Sequence, residues 1–292
     1  MRVLIVLNPG SGSAGGATPD QLAEALRPLG PTVFAAPPQE RFDLDIRAAA
    51  DGVGLVVAAG GDGTVSRTVN ALGDRLDDLA FAVLPMGTGN DLARTLGMPE
   101  DPLEAAGAVA GGTEREIDVW RASGPGAELL LVNACVGGFP VAVDEAVGHA
   151  AKRLLGPVAY LVAGARAAAR MERFTATVSG RRVEDCVAVG VGNGRTVGGG
   201  IPLFPDANPA DGRLEACALP APGTADAAKL GLAVRKGEHG RMEGVVTTSG
   251  DEVRIETEPA VELNVDGELV GLRTPVVFSG AGRLRFRVPA AA

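Results

Sequence analysis

The sequence predicts an α/β + β protein: an N-terminal three-layer α/β domain with a mostly parallel sheet, then a C-terminal antiparallel β-sandwich-like domain with a helical insertion. Three observations carry this. The N-terminal third alternates short all-apolar runs with stretches of helical spacing. Strands apolar on both faces and joined by helical crossovers belong to a parallel sheet covered by helices. From about Glu114 the apolar runs become short, closely spaced and broken by Gly and Pro, as in an antiparallel sandwich or barrel. One helical stretch, Val141 to Arg170, interrupts them. The boundary is expected near Gly112, giving domains 1–112 and 113–292.

Val3 to Leu7 is a first strand, too short an apolar run for a signal peptide, and it leads into the Gly/Ser loop Asn8 to Gly16. Pro19 to Leu29 has helical spacing, with Thr18 as N-cap. Thr32 to Ala36 reads as a strand and Leu44 to Ala50 as a helix. The strand Leu55 to Ala59 runs into Gly60-Gly61-Asp62-Gly63-Thr64, and Val65 to Leu72 continues as a helix. Phe81 to Leu84 is the next buried strand, ending in Pro85-Met86-Gly87-Thr88-Gly89-Asn90-Asp91 before a helix to Leu96. Further strands are expected at 115–121, 129–135, 175–179, 186–191, 214–219, 253–256, 261–265, 269–272 and 284–288, with 220–224 a loop.

Composition narrows the function. The 292 residues are 46% apolar and 22% charged, and no apolar stretch reaches the roughly 20 residues needed to span a bilayer. A net charge of −9 argues against nucleic acid as a partner. The 3 cysteines are widely spaced, which fits a reducing cytoplasm and argues against structural zinc. The 2 histidines lie away from other catalytic signals. The only lysines are Lys152, Lys229 and Lys236, so a P-loop or a protein-kinase strand lysine is excluded in the first domain. Phosphates bound there must be held by backbone amides and arginines.

The Gly60 turn has two readings. A glycine-rich turn between a buried strand and a helix N-terminus makes an anion site, with Asp62 beside it to hold a cation. It is also what a tight bend looks like, with Asp62 serving the helix dipole. Ligands bind at the carboxyl ends of parallel strands, and loops at Asn8, Gly60 and Pro85 all follow strands. That convergence favours a phosphate site. Downstream, Asp266-Gly267 is a hairpin signal needing φ > 0 at both positions, and Asp266 becomes a general base only if the turn faces a nucleotide. Asp211-Gly212 reads as a turn or as part of a hard-cation site. The basic, apolar stretch around Lys152, Arg153, Arg166 and Arg170 either covers a sheet or meets an anionic membrane surface.

The ordered set of motifs resembles the diacylglycerol kinase catalytic-domain superfamily of bacterial lipid kinases and sphingosine kinases. The motifs are Asn8-Pro9-Gly10-Ser11-Gly12, Gly60 to Thr64 with Val69-Asn70, Pro85 to Ala93, Val132-Asn133 with Gly137-Gly138-Phe139, Asn193-Gly194, Asp211-Gly212 and Asp266-Gly267-Glu268. The resemblance implies ATP-dependent, Mg²⁺-assisted phosphorylation of a lipid hydroxyl, with the active site in a cleft between the domains. It also implies residue roles. Asn8, Ser11, Gly60, Gly61, Asp62, Gly63, Thr64, Val65 and Ser66, with Gly87, Thr88 and Asn90, would contact the nucleotide. Asp62 and Asp91 would join the catalytic Mg²⁺ network, and Asp266 would be the general base with Glu268 beside it. Asn208, Asp211 and Arg213 align with a structural metal site, Asp211 through its side chain and the others through backbone carbonyls. Arg67 stands where the family usually has Glu and has three readings: positive charge beside the phosphates in place of a missing lysine, a surface residue, or the mark of a member with altered nucleotide use. The expected partners are ATP, a lipid acceptor presented at a membrane surface and a second copy in a homodimer; the expected location is the cytoplasm, at the inner face of the membrane. The same Gly60 motif occurs in NAD kinases, and a catalytically impaired binding protein is the alternative of another class.

Overall fold

The computed structural model describes residues 1–7, 17–138 and 172–290. The first loop, with Asn8 and Ser11, and the helical stretch at 141–170 lie outside the described residues. The chain divides into two units, Met1–Trp120 with Ala281–Ala292, and Arg121–Gly280.

The first unit is built on a parallel sheet. β1 (Val3–Leu7) lies between β2 (Thr32–Ala35) and β3 (Leu55–Gly60), and β4 (Ala80–Pro85) continues beyond β3, all parallel. Every residue of β3 and β4 is buried, as an apolar run covered on both faces must be. α1 (Pro19–Leu26) begins with the expected Thr18 cap, whose Oγ1 accepts from the Gln21 N–H at 3.3 Å while Gln21 Oε1 accepts from the Thr18 N–H at 2.9 Å. α1 packs with α5 (Pro102–Gly111), and α2 (Phe42–Ala49) packs with α3 (Asp62–Ala71). α4 (Asp91–Thr95) is one short turn after β4.

The packing divides the chain elsewhere than at Gly112. β5 (Thr113–Gly124) enters the second unit only at Arg121, and β15 (Val276–Val288) returns to the first at Ala281. The returning half of β15 pairs parallel to β4, Arg285 opposite Ala80 and Phe286 opposite Phe81. Its arginines hold it there. Arg283 pairs with Asp118 at 3.1 Å and Arg285 with Glu114 at 3.6 Å. Arg287 donates to the carbonyls of Val109 and Gly112, both at 2.9 Å. Nothing local in the sequence announces a strand that recrosses a domain boundary.

The second unit is antiparallel. Its strands run in the order β14 (Glu268–Arg273), β13 (Glu262–Val265), β7 (Ala134–Gly138), β9 (Arg181–Gly192), β8 (Phe174–Val178), β12 (Glu252–Glu258) and the first half of β15. β10 (Leu214–Pro220) joins β9, and β11 (Val246–Gly250) joins β10. β6 (Ala127–Leu131) pairs with β5. α6 (Thr224–Lys236) buries Ala227 and Leu230 in a cluster with Val187, Leu203, Phe204 and Leu219.

Candidate functional site

In the first unit two glycine loops meet at the ends of β3 and β4. Gly61 precedes α3, and the Thr64 and Val65 N–H groups return to its carbonyl at 3.0 and 3.2 Å. Those of Asp62 and Gly63 have no partner inside α3 by helix geometry, which suits them to an anion. The Met86 N–H reaches the Gly60 carbonyl at 3.1 Å. A Cβ placed on Gly87 would lie 2.3 Å from the Cα of Gly61 and 2.9 Å from its N. The loops are therefore in backbone contact. Asn90, left-handed at φ 53°, closes the second loop from both sides: its Oδ1 accepts from the Gly87 N–H and its Nδ2 donates to the Gly87 carbonyl, each at 2.9 Å. Gly87→Ala is expected to destabilise the protein by about 1–3 kcal/mol, because the new methyl meets the Gly61 backbone, with Asn90 Oδ1 at 3.0 Å beside it. Gly107→Ala is the control, in the middle of α5 with open space around it, and should be neutral or slightly stabilising. Thermal unfolding of the pair checks this.

Asp62 links the loops chemically. Its Oδ1 accepts from the Leu92 N–H at 3.1 Å, so it caps α4. Asp91 is 4% exposed and pairs with Arg94 at 3.2 Å. Burial, more than any neighbour, raises the Asp62 pKa; the N–H groups of Leu92 and Asp91 oppose the shift, and the Asp91 charge adds to it. Ionised at neutral pH, this carboxylate costs stability, and the cost is absent below the unfolded value of 3.8, where it is protonated in both states. Asp62→Asn is therefore expected to raise Tm at pH 7 and to leave it unchanged near pH 3. Melting curves at the two pH values decide it.

The other expected residues are placed unevenly. Thr64, Val65 and Ser66 are buried, so only the half-buried Gly61 to Gly63 and the backbone of this turn face outward. Gly87, Thr88 and Asn90 line a cleft of about 380 Å³ with Arg94, Met98 and Glu100. Arg67 is not near the first turn. It is the sixth residue of α3, its guanidinium stacked 4.2 Å above the Phe42 ring and donating to the Gln39 carbonyl at 2.9 Å. Its charge is spent on tying α3 to the start of α2.

In the second unit the Asp266–Gly267 turn joins β13 to β14 with φ 48° and 92°, as the two-residue hairpin requires. Its carboxylate is 3% exposed and points into the fold. Oδ1 accepts from the N–H groups of Asn133 and Ala134, both at 2.9 Å, and Oδ2 from that of Val132 at 3.0 Å. The Asp266 N–H returns to the Ala134 carbonyl at 2.8 Å. Glu268, two residues on, is exposed. The knot extends further than the sequence suggested. The Asn193 and Gly194 N–H groups both donate to the Asn133 carbonyl at 2.8 Å, and Asn193 Nδ2 donates to the Val132 carbonyl at 2.8 Å. Val132-Asn133 and Asn193-Gly194 stand among the motifs that carry the resemblance, but nothing local in the sequence gives these asparagines a role.

At the third place, Asp211 Oδ1 accepts from the Arg213 N–H at 2.9 Å and Asn208 Oδ1 from the Ala210 N–H at 3.3 Å. The Arg213 guanidinium is held by Ser249. Burial, then the charges of Asp206 and Asp211, raise the Glu215 pKa. Among the described residues no group of three or more His, Cys, Asp or Glu side chains gathers as a metal cage. No helix among them is long and apolar enough to cross a membrane.

Comparison with known proteins follows this division closely. Residues 2–122 match the diacylglycerol kinase catalytic domain, and residues 134–285 match the YegS C-terminal NAD kinase beta sandwich-like domain. A protein of Stenotrophomonas maltophilia named probable lipid kinase YegS-like is 36% identical over 82% of this chain and 80% of its own. One of the same name from Pseudomonas aeruginosa is 34% identical over 83% and 79%. A crystal structure of a diacylglycerol kinase from Bacillus anthracis superposes with a TM-score of 0.69 at 24% identity, covering 98% of this chain and 96% of that one. At that identity the likeness is one of fold.

Proposed function

The chain belongs to the diacylglycerol kinase catalytic-domain family in its YegS-like form, and from that membership and the site geometry we propose that it is an ATP-dependent lipid kinase, transferring the γ-phosphoryl group to a hydroxyl of a diacylglycerol-like or related lipid. The observation that carries it is the backbone contact of Gly61 with Gly87, which closes two glycine loops around a helix N-terminus with an acidic pair beside it. Phosphoryl transfer asks the protein chiefly for positioning and charge stabilisation. Amides of Gly61 to Gly63 and of Thr88 would hold phosphate oxygens, the Gly87 N–H being taken by Asn90. Mg²⁺, when bound, supplies neutralising charge, and two carboxylates whose charges oppose each other, Asp62 and Asp91, suit its network. A second cation would take Asp211 as side-chain ligand with the Asn208 and Arg213 carbonyls, the set that the resemblance implies.

The two downstream carboxylates divide their work. A base must reach the acceptor hydroxyl within about 3 Å. Asp266 already accepts three main-chain N–H groups and is buried, whereas Glu268 is exposed. We therefore move the base from Asp266 to Glu268 and give Asp266 the task of holding the hairpin. Neither this nor the acidic set around Asp62 suggests a catalytically impaired binding protein.

ADP release tests the function. With ATP and Mg²⁺ alone, or with NAD added, release should stay at background; vesicles of a total lipid extract should start it. Release that depends on NAD and not on lipid would make the chain an NAD kinase instead.

A further inference from the structure

Immediately after Glu268 stand Leu269 and Val270, exposed by 47% and 39%. Six large apolar residues are exposed among those described, and these are the two that adjoin in sequence. A regular strand would turn one inward, since successive side chains face opposite ways. Here the register slips: Asn264 lies opposite Leu269, yet Glu262 lies opposite Arg273. The extra residues on β14 form a bulge, with Gly271 at φ 76°, and a bulge re-aims side chains. β14 is also an outer strand of its sheet, where exposed apolar residues are a liability that folds ordinarily avoid.

We propose that Leu269 and Val270 contact the apolar body of the acceptor lipid. This rests on the lipid-kinase function and on Glu268 as its base. A strand advances about 3.3 Å per residue, so both side chains stand within ~7 Å along the chain of the carboxylate that meets the hydroxyl. In a lipid, the first methylenes lie no farther than that from the reacting oxygen. An acid followed directly by two exposed apolar residues matches a molecule that is polar at the hydroxyl and apolar just behind it.

The test uses the full chain with Leu269→Gln/Val270→Gln, both surface changes, and each single variant beside it. Thermal unfolding establishes that each is folded. With vesicles of a total lipid extract, the half-saturating lipid concentration should rise about tenfold or more in the double variant and by less in the singles, while the KM for ATP stays unchanged. An unchanged lipid requirement in a folded, active double variant overturns this proposal and leaves the kinase function standing. Absence of lipid phosphorylation by the unaltered protein overturns the function and this proposal with it. If the substitutions instead convert a dimer to a monomer in sedimentation, with the lipid requirement unmoved, the pair belongs to an interface between copies and the proposal fails.

Discussion

Asp266→Ala is expected to cost the second unit several kcal/mol of stability. Three main-chain N–H groups, at Val132, Asn133 and Ala134, converge on this carboxylate, and all three residues are buried. A buried donor left without an acceptor costs about 1–3 kcal/mol, so three of them remove a large share of the roughly 5–15 kcal/mol that keeps a domain folded. Asp266→Asn does not rescue it. An amide offers one acceptor oxygen, and its NH₂ faces a donor whichever way it is turned, because both carboxylate oxygens receive an N–H. Urea denaturation of both variants checks this. Near-normal midpoints would mean that the hairpin does not depend on the carboxylate.

Glu268→Gln is expected to behave in the opposite way. The side chain is exposed, so the variant's stability should change by no more than about 0.5 kcal/mol. An amide of the same size cannot take a proton, and loss of a positioned base lowers turnover by about 10²–10⁴-fold. The KM for ATP should hold. Label transfer from γ-labelled ATP into lipid, in a variant shown to be folded, gives the number. Full activity in Glu268→Gln would return the base to another group.

The layer architecture was legible because it is written in period and burial. Leu55 to Ala59 and Phe81 to Leu84 are apolar on both faces, and such runs have few homes outside a covered parallel sheet. The turn at Asp266 was legible too, since Asp-Gly between apolar runs is a local signal. Two helices were not read. α5 starts with Asp101 accepting from Leu103 and Glu104 and with Pro102 in its first turn, a sound start signal, but its Ala and Gly body lacks a contrasting polar face. α6 follows a Pro/Gly loop and was hidden by it.

What sequence could not show is where a side chain points. Asp266 and Glu268 are equivalent acids two residues apart until the fold turns one into a cage of amides and leaves the other outside. For Arg67 the sequence leaves open a place beside phosphates, where the first domain lacks lysine, and a place on the surface. Its distance along α3 carries it to Phe42 and Gln39 instead. In both cases long-range packing decided, between residues separated by 28 positions for Arg67 and by more than a hundred for Asp266.

We propose that the chain moves a phosphoryl group from ATP to a lipid hydroxyl. Incubation with γ-labelled ATP, Mg²⁺ and vesicles of a total lipid extract, with the labelled product identified by mass spectrometry, tests it most directly. The expected product is a phosphate monoester on a lipid hydroxyl, formed by the unaltered protein and strongly reduced with Glu268→Gln. Label confined to inorganic phosphate, or carried by NAD, would contradict it.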